Sequence, residues 1–304
     1  MIRNPWIRSA VWAVGGTVAC AAMLLVTGLV LGERKAQRRI AVAVQPVAVP
    51  HDDSALVRGQ YLYASRGCAD CHGSDGGGRR FVDGGADLQL AGPAIAPGRP
   101  GAPTATTAYT PADWVRTVRH GVKPDGRPVR TMPSEDYNRL TDADLGALVA
   151  YVQSLPPVAP RDAVLQLPLP ARVLYGFGAI PDAVEKIDHT LPPQAPVPEG
   201  VNVAHGGYVA QMCKGCHGAT LAGGRIPGAP PDWPPAPALR GDGSVMAGAY
   251  ADADAFVHML RSGVRADGSR IQVMPFEALG RLSELDARAL HLALREAPAQ
   301  VAAR

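Results

Sequence analysis

Large aromatic side chains and spare cysteines are both scarce in this chain of 304 residues. Aromatic residues make up 5% of the sequence, which also holds 34 glycines and 29 prolines. This composition is poorly suited to a hydrophobic core made of protein side chains alone, because large aromatic rings are few and chain-breaking residues are many. Four of the five cysteines fall in two short motifs and the fifth, Cys20, lies in an apolar run. No pair of cysteines is therefore left for a structural disulfide.

A strongly basic surface is also missing. The formal net charge is +3, but residues 1–40 contain six basic residues and one acidic residue. The rest of the chain therefore carries a net charge of −2. This balance excludes the basic field that nucleic-acid binding requires, and we predict no nucleic-acid partner.

One long apolar run lies near the N-terminus. Residues 10–32 contain no charge, and a helix of this length spans roughly 35 Å, enough to cross a bilayer. The alternative is a cleaved signal peptide, but its apolar core normally has about 7–15 residues and ends at a small-x-small site. We therefore predict a cytoplasmic segment at 1–9, a transmembrane helix at 10–32 and a tether at 33–53.

The charges that flank this run indicate a cytoplasmic location for the rest of the chain. Four basic residues follow the apolar run and two precede it, so the positive-inside rule alone would place the C-terminal bulk in the cytoplasm. The motifs described next require an extracytoplasmic location, and we give that chemistry more weight than the charge count.

A five-residue motif occurs twice. Residues 68–72 read Cys-Ala-Asp-Cys-His, and residues 213–217 read Cys-Lys-Gly-Cys-His. Cys-x-x-Cys-His is the attachment signature of a c-type haem, in which both thiols bond to the haem and the histidine binds the iron. A zinc site or a thioredoxin-like disulfide is the alternative, but neither explains the repeated element that follows. The motifs predict two covalently bound haem c groups, held by Cys68, Cys71, His72, Cys213, Cys216 and His217.

Each motif is followed by a Met-Pro pair at nearly the same distance. Met132 follows His72 and Met274 follows His217, and the separation in the second copy is shorter by only three residues. The same register that aligns the two methionines also aligns Asp144 with Asp286. A thioether is a known sixth ligand of haem iron. We therefore predict that His72 and Met132 bind one iron and that His217 and Met274 bind the other.

The repeat also separates paired residues from those that occur once. Neither His120 nor His258 has a histidine counterpart, which disfavours two histidine ligands on one iron. Pro93 and Pro237 occupy similar places before the middle helix of each copy, where a carbonyl could fix the histidine ring. The pairs include Tyr61 with Tyr208, Trp114 with Phe256 and Asp144 with Asp286. We predict packing or surface roles for Met212, Met246 and Met259, core positions for Trp114 and Phe256, and solvated positions for His51, His189, His205 and His291.

Capping residues predict the helices of both copies. Ser54, Thr110, Thr141 and Ser283 each precede a helical pattern, and a glycine at 121 ends the second of these helices. Residues 73–108 show no sustained period and are predicted to be loops. A further short helix is predicted at residues 171–177.

Taken together, each half resembles a class I cytochrome c domain. The order of an N-terminal helix, Cys-x-x-Cys-His, a loop, a middle helix, a Met-Pro pair and a capped C-terminal helix carries this resemblance. It implies an all-α fold, with an N-terminal transmembrane helix and two tandem class I cytochrome c domains. We place these domains at 54–157 and 201–298, joined by a proline-rich connector at 158–200. The chain after residue 50 is similar to membrane-anchored diheme cytochromes c, and to the cytochrome subunits of periplasmic dehydrogenases.

The resemblance implies an electron carrier rather than an enzyme. We expect single electrons to pass from a dehydrogenase or quinol-oxidising complex to an oxidase or reductase, with the haem domains in the periplasm and the helix in the bacterial inner membrane. A cytochrome subunit of a dehydrogenase complex is one alternative. A diheme redox enzyme such as a peroxidase is another, but it needs an open sixth position on the iron.

Overall fold

The computed structural model describes residues 5–226, 228–230 and 232–296. Residues 1–4 of the predicted cytoplasmic segment and residues 297–298 of the second predicted domain lie outside this part of the chain. Helices dominate the architecture and a small sheet accompanies them.

The N-terminal half begins with a long helix and then alternates short helices with loops. Its elements are α1 Pro5–Gln37, α2 Asp53–Ser65, α3 Cys68–His72, β1 Arg80–Asp83, β2 Gln89–Ala91, α4 Pro111–His120, α5 Ser134–Tyr137 and α6 Asp142–Ser154. The connector holds β3 Val164–Gln166, α7 Leu169–Gly176 and α8 Ala183–Lys186. The second half holds α9 Val203–Val209, a 3₁₀ turn Ala210–Cys213, α10 Lys214–His217, α11 Ala253–Ser262, α12 Phe276–Leu279 and α13 Glu284–Arg295.

Helix α1 extends beyond the predicted transmembrane run at both of its ends. It is the one helix in the described part of the chain that is long and apolar enough to cross a membrane. Its apolar side chains, among them Trp12, Val18 and Met23, are exposed. An exposed apolar helix fits a membrane anchor and does not fit a core helix of a water-soluble domain.

Both halves are built on the same helix crossing. In the first half α2 packs against α6, and in the second half α9 packs against α13. Gly59 of α2 touches the Ala147 carbonyl and Gly206 of α9 touches the Ala289 carbonyl, so closely that a Cβ at either glycine would overlap that oxygen. The glycines allow the two backbones to approach closely. In each half, the Cys-x-x-Cys-His helix follows the first helix of this crossing along the chain.

The capping predictions hold at three of four helices. Thr110, Thr141 and Ser283 each accept a hydrogen bond from the backbone N–H three residues later, and Gly121 ends α4 in the left-handed conformation. The prediction for Ser54 is wrong: Asp52 is the N-cap of α2 and accepts a bond from the Ala55 N–H. A carboxylate competes well for this position because it accepts strongly at the positive end of a helix.

A three-stranded antiparallel sheet corrects the all-α prediction. Strand β2 lies in the centre, with β1 on one side and β3 from the connector on the other. Strands β1 and β2 fall within residues 73–108, which the sequence predicted to be loops. The strands are only three or four residues long, too short to show an alternating pattern in the sequence.

The connector and the predicted tether both pack on the first half. Val47 is buried, and the carbonyl of Ala48 lies against Gly146 of α6. The predicted helix at 171–177 is confirmed as α7, which packs along the C-terminal part of α1. The segments on either side of the first half therefore form part of its structure.

Candidate haem-binding site

The two Cys-x-x-Cys-His motifs adopt the same local structure. Each histidine ends a short helix, and a glycine with positive φ follows it, at Gly73 and Gly218. The His72 Nδ1 lies 2.9 Å from the Pro93 carbonyl oxygen, and the His217 Nδ1 lies 2.9 Å from the Pro237 carbonyl oxygen. Because a carbonyl only accepts, Nδ1 carries the proton in both rings and Nε2 keeps its lone pair. A fixed tautomer with a free Nε2 is what a metal-binding histidine requires.

Each predicted methionine shares a core with the first cysteine of its own motif. Met132 and Cys68 both pack at the edge of one apolar cluster, which includes Trp114. Met274 and Cys213 both pack at the edge of the other. Within each half, one apolar core thus holds both the first cysteine of the motif and the methionine of the Met-Pro pair, although the middle helix and its flanking loops separate them along the chain.

The residues around the first motif fit a haem. The Trp114 Nε1–H is buried and has no hydrogen-bond partner among the described residues. An orphaned donor of this kind is rare in a folded protein and calls for an acceptor. The propionates of a haem are acceptors, so the group implied by the motif supplies the missing type of partner.

The thiols do not have the character of reactive or zinc-binding cysteines. Burial raises the pKa of Cys68 to about 12 and that of Cys71 to about 11, and it raises the pKa of Cys213 to about 12. Redox-active cysteines have a lowered pKa instead. No group of three or more His, Cys, Asp or Glu side chains suited to a metal ion occurs in the described part of the chain. Both alternatives weighed for the motif therefore lack their structural signature.

Comparison with known proteins identifies the first half. Residues 54–152 match the family model described as cytochrome C oxidase, cbb3-type, subunit III. This stretch runs from α2 through the first motif and the Met132 segment to α6. Residues 54–152 are a cytochrome c domain.

Cytochrome subunits of bacterial dehydrogenases resemble a longer part of the chain. The cytochrome c subunit of alcohol dehydrogenase (quinone) from Gluconacetobacter polyoxogenes is 31% identical over 245 residues, which cover 73% of this chain and 51% of that protein. The fructose dehydrogenase cytochrome subunit of Gluconobacter japonicus is 30% identical over 147 residues, 45% of this chain and 29% of that protein. The gluconate 2-dehydrogenase cytochrome c subunit of Pantoea cypripedii is 32% identical over 128 residues, 39% of this chain and 27% of that protein. The matches thus span about half, or less, of these relatives, and each relative is named as the cytochrome subunit of a dehydrogenase.

The cytochrome c domain meets the second half through a reciprocal pair of contacts. Tyr61 donates a hydrogen bond of 2.6 Å to Asp286, and Tyr208 donates one of 2.7 Å to Asp144. Each tyrosine hydroxyl also accepts a backbone N–H from the N-cap residue of the same partner helix, at Ser283 and at Thr141. The repeat register matches tyrosine with tyrosine and aspartate with aspartate. The two halves are therefore related by an approximate two-fold rotation.

The two aspartates have different cationic partners. Asp144 binds the Arg58 guanidinium through both oxygens, at 2.8 and 3.0 Å. Asp286 binds Arg66 at 2.9 Å and His205 Nε2 at 2.7 Å. Burial alone would raise the pKa of Asp286, but the charge of Arg66 and its hydrogen bonds lower that pKa to about 2. Asp286 is therefore ionised throughout the physiological range.

The same rotation brings each haem motif against the other half. Helix α12, which follows Met274, contacts α3, and α5, which follows Met132, contacts α10. The Gly215 N–H of the second motif donates a 2.7 Å hydrogen bond to Asp136 of α5. Burial, followed by the charge of Glu135, raises the pKa of Asp136 to about 8. The motif-bearing helices of both halves thus lie at the shared interface.

The structure confirms the predicted burial of several side chains and corrects the predicted exposure of two histidines. Met246 and Met259 are buried, as predicted for packing residues, and so are Trp114 and Phe256. The solvated positions predicted for His205 and His291 are wrong, because both rings are buried and bonded, His205 to Asp286 and His291 to the Tyr250 carbonyl. His189 pairs with His120, Nδ1 to Nδ1 at 3.0 Å. The repeated Tyr61–Tyr208 and Asp144–Asp286 pairs were the available signal for the interface, since a polar residue kept in both copies of a duplication needs a partner.

Proposed function

We propose that the protein is a membrane-tethered diheme c-type cytochrome that transfers single electrons. One haem c is held by Cys68, Cys71, His72 and Met132, and a second by Cys213, Cys216, His217 and Met274. The observation that carries the proposal is the identical hydrogen bond from each motif histidine to a proline carbonyl. Each bound haem supplies one iron that alternates between Fe(II) and Fe(III).

The side chains of the chain have three tasks in this proposal. The cysteines fix the cofactor covalently, and the proline carbonyls hold His72 and His217 in the tautomer that binds iron. Met132 and Met274 would be the second protein ligands of the two irons, which would keep substrates away from the metal and would raise its reduction potential relative to a second imidazole. With two protein ligands on each iron, the site would be suited to electron transfer and not to ligand chemistry.

The interface between the halves supports transfer within the chain. Each motif helix contacts the helix after the Met-Pro pair of the other half. The Tyr61–Asp286 and Tyr208–Asp144 hydrogen bonds keep this arrangement fixed. Two cofactors held in this arrangement would exchange electrons without a docking step, so that one half could receive an electron while the other delivers one.

The anchor and the relatives support a proposal for the location and the partners. We infer a single-pass protein of the bacterial inner membrane with its haem domains in the periplasm, where an upstream dehydrogenase or quinol-oxidising complex donates electrons and an oxidase or reductase accepts them. The second candidate is a stable cytochrome subunit of a dehydrogenase complex. The similarity to the alcohol, fructose and gluconate dehydrogenase subunits favours it.

The ligand assignment is tested by optical spectroscopy of the detergent-solubilised protein. A pyridine haemochrome assay should give two haems per chain. The oxidised wild type should show a methionine–iron charge-transfer band, and Met132→Ala and Met274→Ala should each remove part of it. Met246→Ala, a buried methionine without a repeat counterpart, serves as the control and should leave the band unchanged. A count of one haem, or rapid carbon monoxide binding by the wild type, would overturn the proposal in favour of a mono-haem carrier or an enzyme.

A further inference from the structure

Helix α7 of the connector packs against the last apolar turns of α1. A Cβ at Gly28 would lie 2.8 Å from a methyl group of Val173 and 2.9 Å from the ring of Phe177. On the α7 side, a Cβ at Gly176 would overlap the carbonyl oxygen of Gly28. Gly28, Gly32 and Ala36 are the buried positions on this face of α1. Four-residue spacing places them on one stripe, so the two backbones are in direct contact.

Helix α7 leaves part of its apolar face exposed beside its contact with α1. Leu169, Leu174 and Phe177 are exposed by 45, 47 and 48% respectively. At 100° per residue these side chains fall within about 140° of the helix circumference. Arg172 is exposed outside this sector, and Tyr175 is buried on the opposite side. The apolar sector of α7 thus rests on α1 through Val173 and Phe177, and the rest of this sector is exposed alongside α1.

The contact fixes the height of α7 relative to a bilayer. Gly28 and Gly32 both belong to the uncharged run at 10–32, and the rise of a helix puts Gly28 about 6 Å inside the end of that run. If α1 spans the membrane, the side chains of α7 that touch Gly28 lie at the boundary between headgroups and acyl chains. Helices that lie in this boundary layer bury their apolar face by about 5–10 Å.

The cations that follow the span hold the connector at this height. Lys35 forms an ion pair of 2.7 Å with Glu185 and donates to the Ile180 carbonyl. Arg38 forms one of 2.9 Å with Asp182. These pairs join the end of α1 to the segment directly after α7. The exposed face is therefore tied to the membrane-crossing helix at its own level and cannot swing into water.

We propose that α7 is an interfacial membrane helix whose partly exposed apolar face, Leu169, Leu174 and Phe177, is buried in the outer boundary of the phospholipid bilayer beside α1. The occupant of this face is lipid, because the face continues the lipid-exposed surface of α1. The haem-bearing halves then rest on the membrane surface, held by a helix across the bilayer and a second one along it. This inference depends on the membrane anchor of the proposed function.

The test is spin labelling of the full chain with its haems, reconstituted in phosphatidylcholine vesicles. In a Cys20→Ser background, single cysteines replace Leu169 and Leu174, which are exposed and can be changed without disturbing the core. Met23→Cys in α1 is the positive control, and Val57→Cys, 66% exposed on α2, is the aqueous control. Power saturation with oxygen and with a water-soluble nickel chelate reports the depth of each label.

The proposal expects the labels at 169 and 174 to be reached preferentially by oxygen. Their ratio of oxygen to nickel accessibility should lie between those of positions 23 and 57. A ratio equal to that of position 57, with position 23 still in lipid, overturns the assignment of α7 and leaves the anchor intact. A ratio at position 23 equal to that at 57 overturns both the anchor and the inference that rests on it.

Discussion

Matched substitutions at the two interface aspartates test the fold at its junction. Asp286→Asn and Asp144→Asn change equivalent positions of the repeat, and each removes one carboxylate charge while retaining an acceptor oxygen. The difference between them comes from what is left behind. Arg66 is 5% exposed and its described carboxylate partner is Asp286, whereas Arg58 is 26% exposed and also pairs with Glu199.

The magnitudes follow from these surroundings. Removing one partner of a buried ion pair leaves an uncompensated charge and costs about 3–5 kcal/mol. A partly exposed arginine that loses one carboxylate partner is still solvated by water and still pairs with the second carboxylate. Loss of the Asp144 charge therefore costs about 1–2 kcal/mol. We therefore expect Asp286→Asn to reduce the free energy of unfolding by about 1–4 kcal/mol more than Asp144→Asn does.

Urea unfolding at pH 7, followed by the Soret band and by far-ultraviolet circular dichroism, measures both values. Tyr109→Phe is the control, because the hydroxyl of Tyr109 accepts only a long 3.4 Å bond from Thr117 and its removal should cost less than about 1 kcal/mol. Equal costs at the two aspartates, or a larger cost at Asp144, would refute the reasoning from the burial of Arg66.

Three further predictions concern titration and packing. The pKa of Asp136 is raised to about 8, so ionisation of this carboxyl destabilises the folded protein as the pH rises from 4 to 8. Asp136→Asn keeps an acceptor for the Gly215 N–H and cannot ionise. Its melting temperature should match that of the wild type at pH 4 and exceed it increasingly up to pH 8. Burial, and then the charge of His189, lowers the pKa of His120 to about 4. The neutral His120 ring therefore contributes to the free energy of unfolding above pH 6.5, and this contribution is lost as the pH falls towards 4. Wild type should therefore become more susceptible than His120→Asn to proteolysis in the connector over that range, and equal susceptibility at pH 4.5 would contradict this. Gly206→Val should prevent stable folding of the second half, seen as loss of one haem per chain, while Gly207→Val, whose Cβ would meet open space, should retain both haems.

The repeat singled out the residues that the sequence predicts to bind haem. Motif, Met-Pro pair and the caps at Thr110, Thr141 and Ser283 are local signals, and the structure forms those helices as expected. The proline carbonyls that face His72 and His217 were predictable for the same reason, because both prolines recur at the same place. Motifs, caps and prolines that recur at equivalent positions of the two copies can be recognised from one sequence alone.

Long-range pairing was not predictable in this way. Strand β3 reaches β2 from the connector, with α4, α5 and α6 lying between the two strands along the chain, and its short sequence shows no period. His205 looks like any polar residue at the start of a helix, and its burial depends on Asp286, 81 residues away. The tether at 33–53 reads as a spacer because its valines have no helical or alternating spacing, yet Val47 is buried on the first half. Each of these cases is decided by tertiary contacts that overrule weak local preference.

The exchanged Tyr–Asp contacts have a consequence for how such a molecule comes about. Residue i of one half contacts residue j of the other while j contacts i, which is the geometry of an isologous homodimer. A single ancestral domain with a tyrosine and an aspartate at these positions would have been self-complementary, and gene duplication would have joined two subunits already docked. Arg66 and Asp136, which have no counterparts in the other copy, are then the marks of divergence after fusion. The junction between the two halves is thus symmetric in origin, and the residues that differ between the copies now distinguish the halves.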